Sequence, residues 1–352
     1  MLVRVDRTPL ALSSELLSRW LRESRALTTG SLSSIEIDAD LETTVSRLIF
    51  LKANYSDKAA DLPNALVVKV ESSLDEVPHA RGRELEFYVT LAPQLGSPPL
   101  VRCLATIRPE EDHAPAILVL EDVRATHDHP PWPFPPSPAQ SERAVQALAQ
   151  VHARWWESVE LGRTVGQLHT TESLTRMVEG VAAQLPKFFD AVGDALTRRA
   201  RQIFERVFSS AFRPWLRLTN PRALTIAHGD AHSWNFLFPK AAEGPALLLD
   251  WQLWHIDVGA RDLAFLMALH WYPSRRHELE VPLLHSYHRS LRAHGVESYS
   301  FDDLWLDYRR SVVRNLTMPI LFWSRGMKPE AWFHRLECAV AAYRDLDCDE
   351  LL

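Results

Sequence analysis

Apolar positions near the start of the chain recur at helical spacing. Leu16, Leu17, Trp20 and Leu21 share one face of a helix predicted over Ser13–Glu23. The period then changes. Thr44–Leu51 and Ala65–Val70 are β-branched, apolar runs separated by turn formers between Asp61 and Asn64, and they predict two strands. A short helix over about Arg81–Leu91 is stopped by Pro93, and Ala116–Leu120 predicts a further strand ending at Glu121-Asp122. His129–Pro138 holds six prolines in ten residues, which excludes helix and central strand and predicts a stiff surface connector.

Beyond the connector the pattern turns helical. Ser137 is a good N-cap with Pro138 at the first helical position, and Val145, Leu148, His152 and Trp155 fall on one face. Two short apolar strands, Leu224–Ala227 and Ala246–Leu249, interrupt the helices and are expected to form a hairpin. Ser300–Asp303 resembles a capping box ahead of a stripe of Trp305, Tyr308, Val312 and Leu316. A β-rich first third and a mostly helical remainder predict an α+β chain of two lobes. The expected division is 1–122 and 123–352, with a hinge at about 120–124 and the proline-rich connector at 129–138.

Composition narrows the function. The 46% hydrophobic and 24% charged residues of this 352-residue chain are those of a globular protein. A net charge of 39 − 45 = −6 argues against a broad nucleic-acid surface. The longest apolar run, Leu263–Leu269, falls far short of the ~18 residues that span a bilayer. Met1–Asp6 has no apolar core of signal-peptide length. Cys103, Cys338 and Cys348 are odd in number and widely spaced, as reduced thiols of a cytoplasmic protein would be. No nucleic-acid or membrane partner is expected. With only 12 glycines there is little material for a glycine-rich phosphate loop, while 12 tryptophans suit a thick core or a pocket for a bulky organic ligand.

The candidate chemistry surrounds the two short strands. After Ile226 the chain reads His228-Gly229-Asp230-Ala231-His232-Ser233-Trp234-Asn235, and the second strand ends in Asp250-Trp251-Gln252. Phosphoryl transfer needs a carboxylate to orient the attacking hydroxyl and take its proton. It also needs an amide oxygen and a second carboxylate to complete the oxygen shell of a metal. The kinase pattern H-x-D-x-x-x-x-N is met residue for residue, with Asp230 as base, Asn235 as metal ligand and Asp250 as the second metal ligand. A metal hydrolase would instead use His228, Asp230 and His232 as ligands, which leaves Asn235 and Asp250 without roles. A third reading makes Asp230 only a turn cap.

These segments, HGDAHSWNFLF and LLLDWQLWHIDVGARDLAFL, resemble the signatures of the aminoglycoside phosphotransferase and choline kinase superfamily. They are most similar to its ecdysteroid kinase-like branch and bacterial relatives. Arg83–Tyr88 is similar to that family's E-x-x-F-Y helix, Leu118–Val123 to its adenine-contacting hinge, and Leu148–Ala153 to the first helix of its large lobe. The resemblance runs from about Val45 to Tyr308. It implies a bilobal protein-kinase-like fold, with a small β-rich N-lobe and a larger helical C-lobe. It also implies ATP and Mg2+ as cofactors and a small-molecule hydroxyl as acceptor, a natural product or similar alcohol, antibiotics among them. A nucleotide-binding pseudokinase without turnover is the alternative.

Within that resemblance Lys69 contacts the α- and β-phosphates and Glu84, rather than its rival Glu86, pairs with it; an edge-strand solubility lysine is the plainer reading. Glu121 and Val123 form the adenine edge. Asp262 suits an N-cap by its local sequence, and the resemblance adds a bracing role on the catalytic loop next to His228. His232 and Trp234 shape that loop. One departure stands out: the segment expected over the phosphates, Asp38–Arg47, reads DADLETTVSR without a glycine. The hydroxyls of Thr43, Thr44 or Ser46 are the expected substitute donors. After Asp262 the acids Glu278, Glu280, Glu297, Asp302, Asp303 and Asp307 are offset by Arg275, Arg276, Arg289, Arg292, Arg309 and Arg310, and Trp271, Tyr272, Trp305, Tyr308, Trp323 and Trp332 point to a partly apolar alcohol.

Overall fold

The computed structural model describes residues 11–43, 46–56, 62–71, 81–95, 98–109, 114–131, 133–209 and 222–352. Met1–Asp6, Thr44, Val45, Asp61 and Trp132 lie outside them. The chain divides into two compact units, Met1–Pro93 with Val101–Thr126, and Gln94–Leu100 with His127–Leu352.

The first unit is an antiparallel sheet covered by a helix. Helix α1 (Ser14–Glu23) starts where the Ser13 hydroxyl accepts the Leu16 N–H at 3.2 Å. Strands β1 (Leu32–Glu42), β2 (Ser46–Tyr55) and β3 (Ala65–Glu71) follow. Then come α2 (Arg83–Thr90), β4 (Cys103–Ile107) and β5 (Ile117–Glu121). The sheet order is β1-β2-β3-β5-β4. Leu17 and Leu21 of the helix are fully buried with Ile49, Leu51, Leu66, Val68 and Val119 in one core. Because β3 is the central strand, Lys69 pairs in register with Leu48 on one side and Leu118 on the other. The edge-strand reading of Lys69 therefore fails.

A second correction concerns Asp38–Arg47. Most of it is strand rather than loop, since Asp40 pairs with Ile49, Leu41 with Leu48 and Glu42 with Arg47. The bidentate Arg47–Asp40 ion pair ties the hairpin across this register.

In the second unit, β6 (His127–Asp128) precedes α3 (Pro138–Trp155), whose start is a capping box between Ser137 and Gln140. Val145, Leu148, His152 and Trp155 on α3 are fully buried. Helices α4 (Thr171–Ala182), α5 (Leu185–Val192) and α6 (Arg198–Ser209) lead to β7 (Leu224–Ala227), β8 (Phe236–Pro239), β9 (Leu247–Leu248) and β10 (His255–Val258). Five helices complete the unit: α7 (Ala260–Met267), α8 (Pro273–Ala293), α9 (Phe301–Asn315), α10 (Thr317–Ser324) and α11 (Pro329–Asp345). The run Leu263–Leu269 is buried on every side. Trp305 is only half-buried; Leu304 takes the inward position beside it on α9. Among the described residues no helix is long and apolar enough to cross a membrane.

The expected hairpin of Leu224–Ala227 with Ala246–Leu249 does not form. Strand β7 pairs with β10, Ala227 opposite His255 and Leu224 opposite Val258, while β8 pairs with β9 and with β6. The chain between β7 and β8 is thereby left as a loop whose two ends are clamped by different small sheets.

Candidate active site

That loop is built on a backbone only glycine allows. Gly229 has φ +84°, and a Cβ there would lie 2.2 Å from the Leu253 carbonyl oxygen. His228, fully buried, donates from Nε2 to the Leu249 carbonyl at 2.7 Å. Its Nδ1 accepts the Asp230 N–H at 3.3 Å, and its ring rests on Trp251. Both ring nitrogens are thus committed, so His228 is no metal ligand and the hydrolase reading loses a donor.

Asp262 is not an N-cap. Gly259 holds that position, and the Asp262 carboxylate is turned onto the loop instead. Oδ2 accepts the His228 N–H at 2.6 Å and Oδ1 the Gly229 N–H at 3.0 Å. His152 Nε2 lies 3.2 Å from Oδ2, and the Tyr287 hydroxyl lies 2.8 Å from His152 Nδ1. The consistent assignment is Tyr287 O–H to Nδ1, with Nε2–H donating to Asp262. Burial opposes charge on Asp262, yet the His152 hydrogen bond and the Gly229 amide hold its carboxyl below the usual range.

Asn235 Nδ2 donates to the Asp230 carbonyl at 2.8 Å and approaches its carboxylate at 3.4 Å, which leaves the amide Oδ1 uncommitted. Asp250 follows β9 in a left-handed conformation, φ 63°, unusual for a residue with a side chain. The Leu249 N–H bonds the Asn235 carbonyl at 3.0 Å and so ties Asp250's strand end to the loop. Burial and the nearby Asp250 carboxylate push Asp230 up to about 8; Arg335 and the Asn235 hydrogen bond act the other way.

A divalent cation would relieve this repulsion, and the donors fit one: an amide oxygen and a carboxylate are hard ligands suited to Mg2+. Among the described residues no three His, Cys, Asp or Glu side chains form a metal cluster. A metal here would complete its shell from phosphate oxygens and water, as Mg2+ ordinarily does. His232 Nε2 lies 3.6 Å from Asp230 Oδ2, and burial pushes this imidazole down to about 4, so it is neutral.

In the first unit, Lys69 Nζ lies 2.6 Å from Glu84 Oε2, with the side chains only 12% and 10% exposed. Glu86 pairs with Arg83 instead. The Thr43 hydroxyl donates to the Ser46 carbonyl at 2.9 Å and accepts the Ser46 N–H at 3.0 Å, so it is occupied in shaping the hairpin turn. Thr44 lies outside the described residues. At the end of β5 the Glu121 N–H is used by the Arg102 carbonyl, whereas the Val123 N–H meets no acceptor among the described residues.

Four participants were not singled out for the site by the sequence: Gly259, Tyr287, His270 and Arg335. A Cβ on Gly259 would meet the Tyr287 hydroxyl at 2.3 Å and His152 Nδ1 at 2.6 Å. His270 Nδ1 donates to the Phe265 carbonyl at 2.7 Å, Arg335 Nε donates to His270 Nε2 at 3.0 Å, and the His270 and His232 rings are 5.9 Å apart. None of the four carries a local signal, unlike His152, a polar residue on an apolar helix face.

The sequence matches the phosphotransferase enzyme family (APH) over residues 53–297. The chain belongs to that family. This phosphotransferase is accordingly an ATP-dependent enzyme of the kinase class that acts on hydroxyl groups. Its fold, an antiparallel N-terminal sheet and a helical C-terminal region, is that of protein-kinase-like phosphotransferases. A Ralstonia eutropha protein assigned by its name to the aminoglycoside phosphotransferases is similar at TM-score 0.58 and 15% identity, covering 95% of this chain and 98% of its own. The choline kinase LicA of Streptococcus pneumoniae is similar at TM-score 0.50 and 15% identity, with coverage of 94% and 100%. The GDP complex of wild-type aminoglycoside 2'-phosphotransferase-IIIa is similar to the phosphotransferase at TM-score 0.53 and 13% identity, with coverage of 94% and 99%. No curated protein sequence matches it.

Proposed function

We propose that this phosphotransferase moves the γ-phosphoryl group of ATP to a hydroxyl of a small, partly apolar organic molecule. The observation that carries the reading is the Asp230–Asn235–Asp250 constellation on a loop pinned by a buried carboxylate. Asp230, one quarter exposed, is the base that orients the acceptor hydroxyl and takes its proton. Asn235 Oδ1 and the Asp250 carboxylate hold Mg2+. When bound, that ion neutralises charge on the transferring phosphoryl oxygens and on the two facing carboxylates.

Lys69, held by Glu84, is assigned to the α- and β-phosphates, and the Val123 N–H with the Glu121 backbone to the adenine edge. Thr43 serves through the shape of its hairpin, because its hydroxyl is already engaged. Asp262 and His228 keep the loop in place without touching the reacting atoms. Three unpaired cysteines fit the reducing cytoplasm as its location.

Asp250→Ala tests the metal assignment. Magnesium-dependent tightening of ATP binding, followed by calorimetry, is expected to vanish in this variant, since a hard cation loses one of few protein oxygens. An unchanged magnesium titration would remove Asp250 from the site.

A further inference from the structure

Arg335, on α11, holds a guanidinium within electrostatic reach of the proposed base, with much of its hydrogen-bonding capacity unspent. A guanidinium carries five N–H donors in a rigid fork. In Arg335 the Nε–H goes to His270 Nε2 at 3.0 Å and one Nη1 hydrogen goes to the Ala331 carbonyl. Among the described residues the other three have no acceptor, and Arg335 makes no ion pair.

Its position is firmly set. Because His270 Nδ1 donates to the Phe265 carbonyl, Nε2 is free of hydrogen and can only accept, and burial keeps that ring neutral. His334 Nε2 bonds the His270 carbonyl at 3.0 Å, and the Phe322 ring packs on the guanidinium at 5.1 Å. The fork is thus anchored on one edge and open on the other. From it the His270 and His232 rings lead, 5.9 Å between centroids, to Asp230 at 3.6 Å from His232. Asp230 is the carboxylate whose field Arg335 feels, at a separation too long for an ion pair. A fixed fork with an open edge matches carboxylate and phosphate oxygens.

Building on the kinase reading above, we propose that Arg335 is the acceptor-specificity residue: its open edge binds an anionic group on the hydroxyl-bearing substrate. The acceptors are then hydroxylated carboxylates or phosphate esters rather than amino alcohols. The anionic group sits on Arg335 while the hydroxyl reaches Asp230.

The test measures kcat and KM with MgATP for wild type, Arg335→Gln and Arg335→Lys. The acceptors are short and medium-chain ω-hydroxy carboxylates, glycerol 3-phosphate, choline, ethanolamine and neutral diols. Wild type is expected to favour an anionic arm by about tenfold or more, and the better arm tells carboxylate from phosphate. Arg335→Gln should raise KM for that acceptor about tenfold with kcat nearly kept, the mark of lost uniform binding. Arg335→Lys, which retains the charge, should recover part of it. The proposal is overturned if amino alcohols are preferred, if Arg335→Gln leaves the anionic KM unchanged, or if Lys and Gln lose equally. It is overturned too if MgATP binds but no anionic acceptor is phosphorylated. Loss of magnesium-dependent ATP binding by wild type would instead remove the kinase reading itself.

Discussion

The Tyr287 hydroxyl occupies the space that a Cβ on Gly259 would need, 2.3 Å from it. Glycine at 259 therefore lets Tyr287 reach His152, His152 reach Asp262, and Asp262 hold the two amides that begin the catalytic loop. The loop's geometry rests on a buried chain of three side chains from three separate helices, packed against a glycine, as well as on its own eight residues.

Gly259→Ala should destabilise the protein by about 1–3 kcal/mol through overpacking and lower turnover by displacing the loop. Combining it with Tyr287→Phe, which removes the closest clashing atom, should restore part of the stability. Denaturant unfolding of the two single variants and the double variant measures this coupling. Additive losses would show that the Tyr287 hydroxyl is not the obstructing group.

Glu84→Gln removes the charge that aligns Lys69 but keeps the side chain's size. A hydrogen bond to a charged group is worth about 1.5–3 kcal/mol, so the KM for ATP should rise about tenfold or more at ~1.4 kcal/mol per decade. Glu86→Gln, which removes the partner of Arg83 instead, should change it little. Equal effects of the two would reassign the pairing. Steady-state kinetics in ATP decides it.

Acid stability should depend on Asp257. Burial disfavours its charge, but Arg314, with bonds of 2.9 and 3.0 Å, outweighs this and holds the carboxyl well below its usual range. A depressed folded-state value means the contribution is full above the unfolded carboxylate pKa, about 3.9, and is lost as pH falls below it. Asp257→Asn should cost about 3–5 kcal/mol at pH 7, the usual loss when one partner of a buried pair is removed. The gap from wild type should shrink steadily below about pH 4. A gap independent of pH, measured by denaturant unfolding across that range, would show that Asp257 acts by packing alone.

Local chemistry made much of this legible. The Ser137 and Ser300 caps, the α3 stripe and the H-x-D-x-x-x-x-N spacing each act over a few residues, where sequence is informative. Strand partners were not legible: β7 and β9 are short and apolar, and nothing in either says that β7 joins β10 while β9 joins β8. Asp262 shows the same limit. A carboxylate early in a helix reads as a cap, and only the long-range approach of His228 and Gly229 turns it elsewhere. The family resemblance puts the phosphate-covering segment at Asp38–Arg47 and so predicts a loop there, whereas most of it is strand, with Leu41 exposed rather than buried. Arg335 gave no signal, since one arginine among several late in the chain is marked only by the groups it fails to bind.

Asp230→Asn tests the central claim most directly. The variant keeps the size of the side chain and removes its capacity to accept a proton. ATP affinity in the presence of magnesium, measured by calorimetry, should stay within about twofold of wild type, while ATP-dependent transfer to the acceptor falls by about 10²–10⁴, the usual contribution of a positioned general base. Full transfer activity in Asp230→Asn would contradict the assignment of Asp230 as the base and, with it, this account of the site.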